Sequence, residues 1–165
     1  MRLWRDFKRM GALYPQMSIC IIPDGKENRE NLERMEKMII KDGRLMKLQG
    51  RAITEYDQNH IVHIFRTERD KQYNEILEEC QEYIDEINLN IKNKKTVQEE
   101  VEEMEEVLDG LRKWLDRIKS IDWVEKPASA VRVEKLLKKC QDSLHNFTDL
   151  SHPKKSNRSH PVGIN

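Results

Sequence analysis

The 165 residues contain no glycine-rich phosphate loop, no G-x-S-x-G elbow, no H-E-x-x-H helix and no serine or cysteine in the setting of a nucleophile. The chain therefore carries no catalytic signature, and the expectation is a protein that is not an enzyme. Long apolar runs are missing as well. The strongest is Ile19-Cys20-Ile21-Ile22, far too short to span a bilayer, and the opening Met1-Arg2-Leu3-Trp4-Arg5-Asp6 is charged where a signal peptide would be apolar. Cysteine is scarce. Cys20, Cys80 and Cys140 are odd in number and form no C-x-x-C pair, which argues against a disulfide framework and for buried, reduced thiols in a cytoplasmic protein without a membrane segment.

Net charge is also absent, but only by cancellation. Residues 1–66 carry 13 Lys and Arg against 9 Asp and Glu, residues 67–127 carry 10 against 18, and residues 128–165 carry 7 against 3, for balances of +4, −8 and +4. An acidic middle repels phosphate, so contact with DNA falls to the N-terminal part or the tail. The plain alternative is a solvated helix surface that binds nothing.

What the chain does have is helical periodicity. Tyr73, Ile76, Cys80, Tyr83, Ile87 and Ile91 recur at spacings of three and four, and so do Val97, Val101, Met104, Leu108, Leu111, Leu115 and Ile118. Between them lies Asn93-Lys94-Lys95-Thr96, with Thr96 and Glu99 spaced as a capping box. So short a loop predicts two antiparallel helices. Pro127 suits the first turn of a third helix, with Val133, Leu136, Leu137, Cys140, Leu144 and Phe147 on its inner face. Gly110 falls inside the second long helix and predicts a mild kink or a tight crossing.

The N-terminal third reads differently. Leu3, Trp4, Phe7 and Met10 mark a short helix closed by Gly11. A strand is predicted over residues 17–22, stopped by Pro23-Asp24-Gly25. Leu32, Met35, Met38 and Ile39 mark a second helix closed by Asp42-Gly43, and residues 44–53 return to strand-like alternation, weakened at Gly50. Ile61, Ile64 and Phe65 give a further helical face after Asp57, continuous or nearly so with the long helix that follows, with Thr67 and Asp70 as an alternative fresh start. The chain thus divides into a small α+β unit over residues 1–54, a helical bundle over 55–150 and a disordered tail over 151–165. A sheet of two strands is marginal by itself, which points to a missing strand.

The run Leu3-Trp4-Arg5-Asp6-Phe7-Lys8-Arg9-Met10-Gly11-Ala12-Leu13-Tyr14, followed by Ser18-Ile19-Cys20-Ile21-Ile22-Pro23-Asp24, resembles the N-terminal domain of the bacterial chromate-resistance regulatory (ChrB-type) proteins. Phe65-Arg66, Asp70 and Tyr73 are similar to the start of that family's first long helix, and Leu111, Trp114-Leu115, Ile118 and Asp122 to its late helical motif. The resemblance implies an α+β fold: a small ferredoxin-like (Cas2-like) unit, followed by an antiparallel helical hairpin or three-helix bundle. It implies a non-enzymatic regulatory or accessory role in chromate resistance. Family members usually begin with a strand before the Leu-Trp-Arg helix, so the unit is expected to lack its first strand. A misassigned start is one reading of that. Acidic residues at the end of this strand are what a Cas2-like nuclease would need. No sensing residue carries over, because the oxyanion response is attributed to a second domain.

Chromate is a divalent oxyanion, so a site for it needs Arg or Lys side chains. Arg2, Arg5, Lys8 and Arg9 form the candidate anion- or DNA-binding cluster, with Arg2, Arg5 and Arg9 on one helical face. An ordinary solvated cationic face is the alternative reading. His60 and His63 make at most half a metal site, so no metal and no cofactor is expected. The glutamates between Glu99 and Glu106 suit the positive end of a helix dipole. The cysteines, as targets of oxidation, are outweighed by their seam positions. DNA through the basic helix, a protein partner and a homodimer are the expected partners. The rival reading is a helical protein-interaction or dimerisation module with no role in the chromate response.

Overall fold

The computed structural model describes residues 2–16, 19–39, 44–95, 97–124 and 127–151. Its elements follow the order α1 (Arg2–Arg9), β1 (Leu13–Gln16), β2 (Ile19–Ile21), α2 (Lys26–Ile39), α3 (Glu55–Lys92), α4 (Gln98–Ser120) and α5 (Ala128–Ser151). The fold is mostly helical, with one small antiparallel sheet in which Leu13 pairs with Ile21 and Gln16 with Ile19.

Helices α3, α4 and α5 each pack against the other two as a three-helix bundle. Their seams meet as the spacing requires: Tyr73, Ile76, Cys80, Tyr83 and Ile87 from α3 interlock with Val101, Met104, Leu108, Leu111, Leu115 and Ile118 from α4. Helix α5 closes the core with Ala130, Val133, Leu137, Cys140 and Phe147. Sixteen buried side chains form this cluster and only four, Phe7, Met10, Ala12 and Met35, form the second, in the N-terminal unit. At about 1.5–3 kcal/mol for each fully buried large apolar side chain, the bundle supplies most of the hydrophobic stabilisation. Two polar groups inside it find backbone acceptors. The Tyr83 hydroxyl donates to the Met104 carbonyl at 3.1 Å, and the Cys140 thiol donates to the Cys80 carbonyl at 3.4 Å.

Several boundaries differ from the sequence reading. Helix α3 begins at Glu55 because Thr54 caps it, its hydroxyl oxygen accepting the Asp57 N–H at 3.1 Å. The helix then runs unbroken through Thr67, as the continuous reading expected; the alternative fresh start is not made, since the Thr67 hydroxyl donates to the His63 carbonyl one turn back. The expected capping box is only partly visible, since Thr96 lies outside the described residues. The N-cap position is Val97, exposed rather than in the seam and making no side-chain cap bond. The expected tail falls outside the described residues beyond Ser151.

The strands are the larger correction. The hairpin places a strand at Leu13–Gln16, across Pro15, and a shorter one than expected at Ile19–Ile21, while Met17 and Ser18 lie outside the described residues. Residues 44–52 form neither strand nor helix. Alternation sends side chains to opposite sides of an extended chain, but a strand also needs a paired backbone, and the sheet contains only β1 and β2. Leu45 packs on the small core, while Met46 and Leu48 stand 77% and 86% exposed. The segment is tethered by side chains instead: Lys47 pairs with Glu36, and Gln49 donates to Asp24 at 3.0 Å.

Gly110 meets no close packing, as a Cβ built on it points into open space. Replacing this helical glycine by alanine is expected to raise stability by about 1 kcal/mol. The neighbouring Leu111 is buried in the seam, so Leu111→Asp is expected to lower it by several kcal/mol. Urea melts of the two variants, followed by circular dichroism, check both signs; equal midpoints would place the two positions in the same environment.

Candidate functional site

The first helix forms because Phe7 and Met10 can bury against Met35 of α2, leaving the charged residues between them outside. Gly11 ends it with φ +75°, in the left-handed region open to glycine. A Cβ at Gly11 would stand 3.0 Å from Ile121 Cβ and 3.2 Å from both the Ile121 carbonyl oxygen and Trp123 Nε1. Glycine is thus required twice, by its dihedral angle and by the close approach of the loop after α4.

Of the four expected cations, Arg5 and Arg9 lie together and Lys8 does not join them. Arg5 and Arg9 line a groove of about 640 Å³ between α1 and α2, joined there by Arg34 of α2. Its floor holds the thioethers of Met10, Met35 and Met38, and its one carboxylate is Asp6, 3.4 Å from the Arg9 guanidinium. Arg34 donates to the Asn31 side-chain oxygen. Lys8 turns away, with Nζ 4.0 Å from the centroid of the Trp4 ring, in a cation–π contact. Arg2 lies in α1, but its side chain is outside the description. Lys8 and Arg9 also border a small recess of about 170 Å³ with Arg117 of α4. Three guanidinium groups around one concavity, two from α1 and one from α2, make a ready receptor for phosphate or another oxyanion, because the planar fork of Arg matches such groups in pairs of hydrogen bonds.

A second polar centre lies where the bundle meets this unit. Tyr73 is fully buried and donates its hydroxyl to Asp122 Oδ2 at 2.9 Å, tying α3 to the loop that backs Gly11. One turn earlier on α3, Arg69 is 2% exposed, with no hydrogen-bond partner for Nε or Nη1 among the described residues. Asp122 Oδ1 is likewise unpartnered among them. Burial pulls the Arg69 guanidinium below its usual range, opposed by the charges of Glu68 and Asp122. Burial, followed by the hydrogen bond to Asp122 and its negative charge, pushes the Tyr73 phenol well above its ordinary value.

Sequence reasoning missed Arg34 and Arg69. Arg69 left a signal, since Phe65, Arg69 and Tyr73 continue the α3 seam at spacings of four and put a cation on an apolar stripe. Arg34 left none, because only the packing of α1 on α2 brings it to Arg5 and Arg9. His60 and His63 stand exposed on α3, and among the described residues no three His, Cys, Asp or Glu side chains gather as metal ligands.

The family model described as Protein ChrB, N-terminal, matches residues 1–157. The chain belongs to this family. No curated protein and no solved structure matches it. Membership in the ChrB N-terminal family makes the protein chromate-resistance-associated at the level of the family. The two distant segments that resemble ChrB meet physically at the Tyr73–Asp122 bond, one supplying the donor and the other the acceptor. No described helix is long and apolar enough to cross a membrane.

The phenol of Tyr73 has a folded-state pKa above its unfolded value of 10.0, so the neutral form is the one folding favours. Its contribution to stability is complete below pH 10 and is lost as the pH rises beyond it. Ultraviolet titration is therefore expected to show Tyr73 and Tyr83, which burial also shifts upward, ionising together with the loss of helix. Tyr73→Phe is expected to cost about 1–3 kcal/mol by stranding the Asp122 acceptor; an unchanged melting temperature would mean that the bond contributes nothing.

Proposed function

We propose that this ChrB-family protein is a non-enzymatic regulatory or accessory factor of chromate resistance that holds the DNA backbone through the arginine groove between α1 and α2. The observation that carries the reading is the convergence of Arg5, Arg9 and Arg34 on one concavity that holds a single carboxylate. Charge placement supports it. The exposed glutamates Glu99, Glu102, Glu103, Glu105 and Glu106 sit at the start of α4, whereas the N-terminal unit abuts its far end at Ile121. At 1.5 Å per residue the two lie roughly 30 Å apart along the helix axis. A duplex is then drawn to the arginine end and repelled from the hairpin tip, which orients the encounter.

The order α1-β1-β2-α2 supports reading residues 1–54 as a ferredoxin-like, Cas2-like unit, since that fold contains the run helix, strand, strand, helix. The unpaired thiols of Cys20, Cys80 and Cys140 support a cytoplasmic setting. A second reading, a helical interaction or dimerisation module, is favoured by one feature: Leu89, Val97 and Val107 are exposed apolar side chains near the hairpin turn. It predicts a mass that rises with concentration in sedimentation equilibrium.

A gel-shift titration with the promoter of its own operon, with and without chromate, tests the DNA reading. A shift at low salt is expected, and Arg5→Ala with Arg9→Ala is expected to weaken it and to reduce the slope of log K against log salt by about 2. No shift at low salt would end this reading and leave the interaction module in its place.

A further inference from the structure

Cys80 of α3 and Cys140 of α5 are both fully buried, and they face each other across the seam between these helices. The Cys140 sulfur lies 3.4 Å from the Cys80 carbonyl oxygen, and the two thiols are in hydrogen-bonding contact. Chain order does not dictate this pairing. Cys20 and Cys140 stand at the same separation from Cys80, 60 residues to either side. The entropy of closing a loop depends on that separation, so an unfolded chain joins Cys80 to Cys20 as readily as to Cys140. The fold breaks the tie. Cys20 lies in β2 against the small N-terminal core, whereas Cys140 meets Cys80 inside the bundle.

The contact also gives the two sulfurs different roles. The proton of Cys140, shared with the sulfur of Cys80, holds the Cys80 thiol below its ordinary value against the opposing effect of burial. The same hydrogen bond, followed by burial, pushes Cys140 well above its own. Cys80 is therefore the thiol that ionises first, and a thiolate is the species that attacks a disulfide.

We infer that Cys80 and Cys140 are a redox pair, which a small disulfide oxidant such as oxidised glutathione converts into a covalent cross-link between α3 and α5. The Cys80 thiolate attacks one glutathione sulfur, the glutathione S–S bond breaks and one glutathione thiolate leaves. Cys140 then gives up its proton, its sulfur attacks the Cys80 sulfur of the mixed disulfide, and the second glutathione departs. The two protein thiols lose two protons and two electrons, and one glutathione disulfide becomes two thiols. Because both sulfurs are buried, the exchange waits on folding or on a local opening of the bundle, so the pair registers a sustained change in the thiol pool and not a brief one. The bond closes a loop that contains α4, which makes the bundle hardest to unfold when the pool is oxidised. The pair is independent of the arginine groove, because it uses none of Arg5, Arg9 or Arg34.

Refolding the full chain from urea into a mixture of oxidised and reduced glutathione, with acid quenching and peptide mapping by mass spectrometry, tests this. The Cys80–Cys140 linkage is expected to outnumber Cys20–Cys80 by about ten-fold or more after refolding, and the two are expected near one to one when the same mixture is kept in urea. The native chain is expected to form the same linkage more slowly than Cys20 reacts. Cross-linking is expected to raise the melting temperature by about 10 °C, and dithiothreitol to reverse the rise. Equal yields of the two linkages after refolding overturn the inference. So does a cross-link that leaves the melting temperature unchanged or lowers it, or a native chain whose Cys80 and Cys140 stay free while Cys20 is consumed. Every measurement uses the unsubstituted chain, so the folding of a variant does not enter the comparison.

Discussion

Tyr73 is where the two parts of this protein become one. Its ring is fully buried in the α3 seam, and its hydroxyl reaches out of the core to Asp122, in the turn after α4. That turn presents Ile121 and Trp123 so closely to Gly11 that a Cβ there would crowd them at 3.0–3.2 Å. A single side chain therefore satisfies the hydrophobic demand of the bundle and positions the surface on which the small N-terminal unit rests. Breaking the hydrogen bond would leave a carboxylate oxygen without its donor beside the buried Arg69, so the cost falls on the joint rather than on the distant bundle tip.

The unequal division of the hydrophobic core explains why such a joint is needed. The bundle interlocks three long seams, whereas the N-terminal unit closes over Phe7, Met10, Ala12 and Met35 with a two-stranded sheet. A hairpin of that size with so small a core is marginal alone. Docked on the turn after α4, it borrows rigidity from the bundle. Two concavities depend on this arrangement, one between α1 and α2 and one between α1–β1 and α3.

Charge is partitioned along the same axis. The chain is neutral as a whole, yet Arg5, Arg9 and Arg34 gather on one groove of the docked unit and a run of glutamates, Glu99 to Glu106, lies at the far hairpin end. Under the proposed DNA reading this separation orients the encounter, since the field of a dipolar molecule acts before any contact is made. The alternation of cation and apolar residue on α1 serves two surfaces at once. Arg5 and Arg9 face α2, while Lys8 and Trp4 face α3.

The helices of the bundle, their inward residues and the short hairpin turn were legible in the sequence because period-3.6 patterning is local and needs no knowledge of the partner. Gly11 was legible for the same reason, as a helix stop. The strand expected over residues 44–53 was not realised, since alternation is local but strand pairing is not. Arg5, Lys8 and Arg9 were legible as a cationic helix with Arg5 and Arg9 on one face and Lys8 off it, but the neighbours that each meets follow only from packing. By itself the sequence determined which faces are apolar, where helices begin and end to within a turn, and where charge of each sign accumulates. Only the tertiary structure decided that Arg34 joins Arg5 and Arg9, that Arg69 is buried and that Tyr73 meets Asp122, because each requires residues far apart in the chain to be brought to one place by packing.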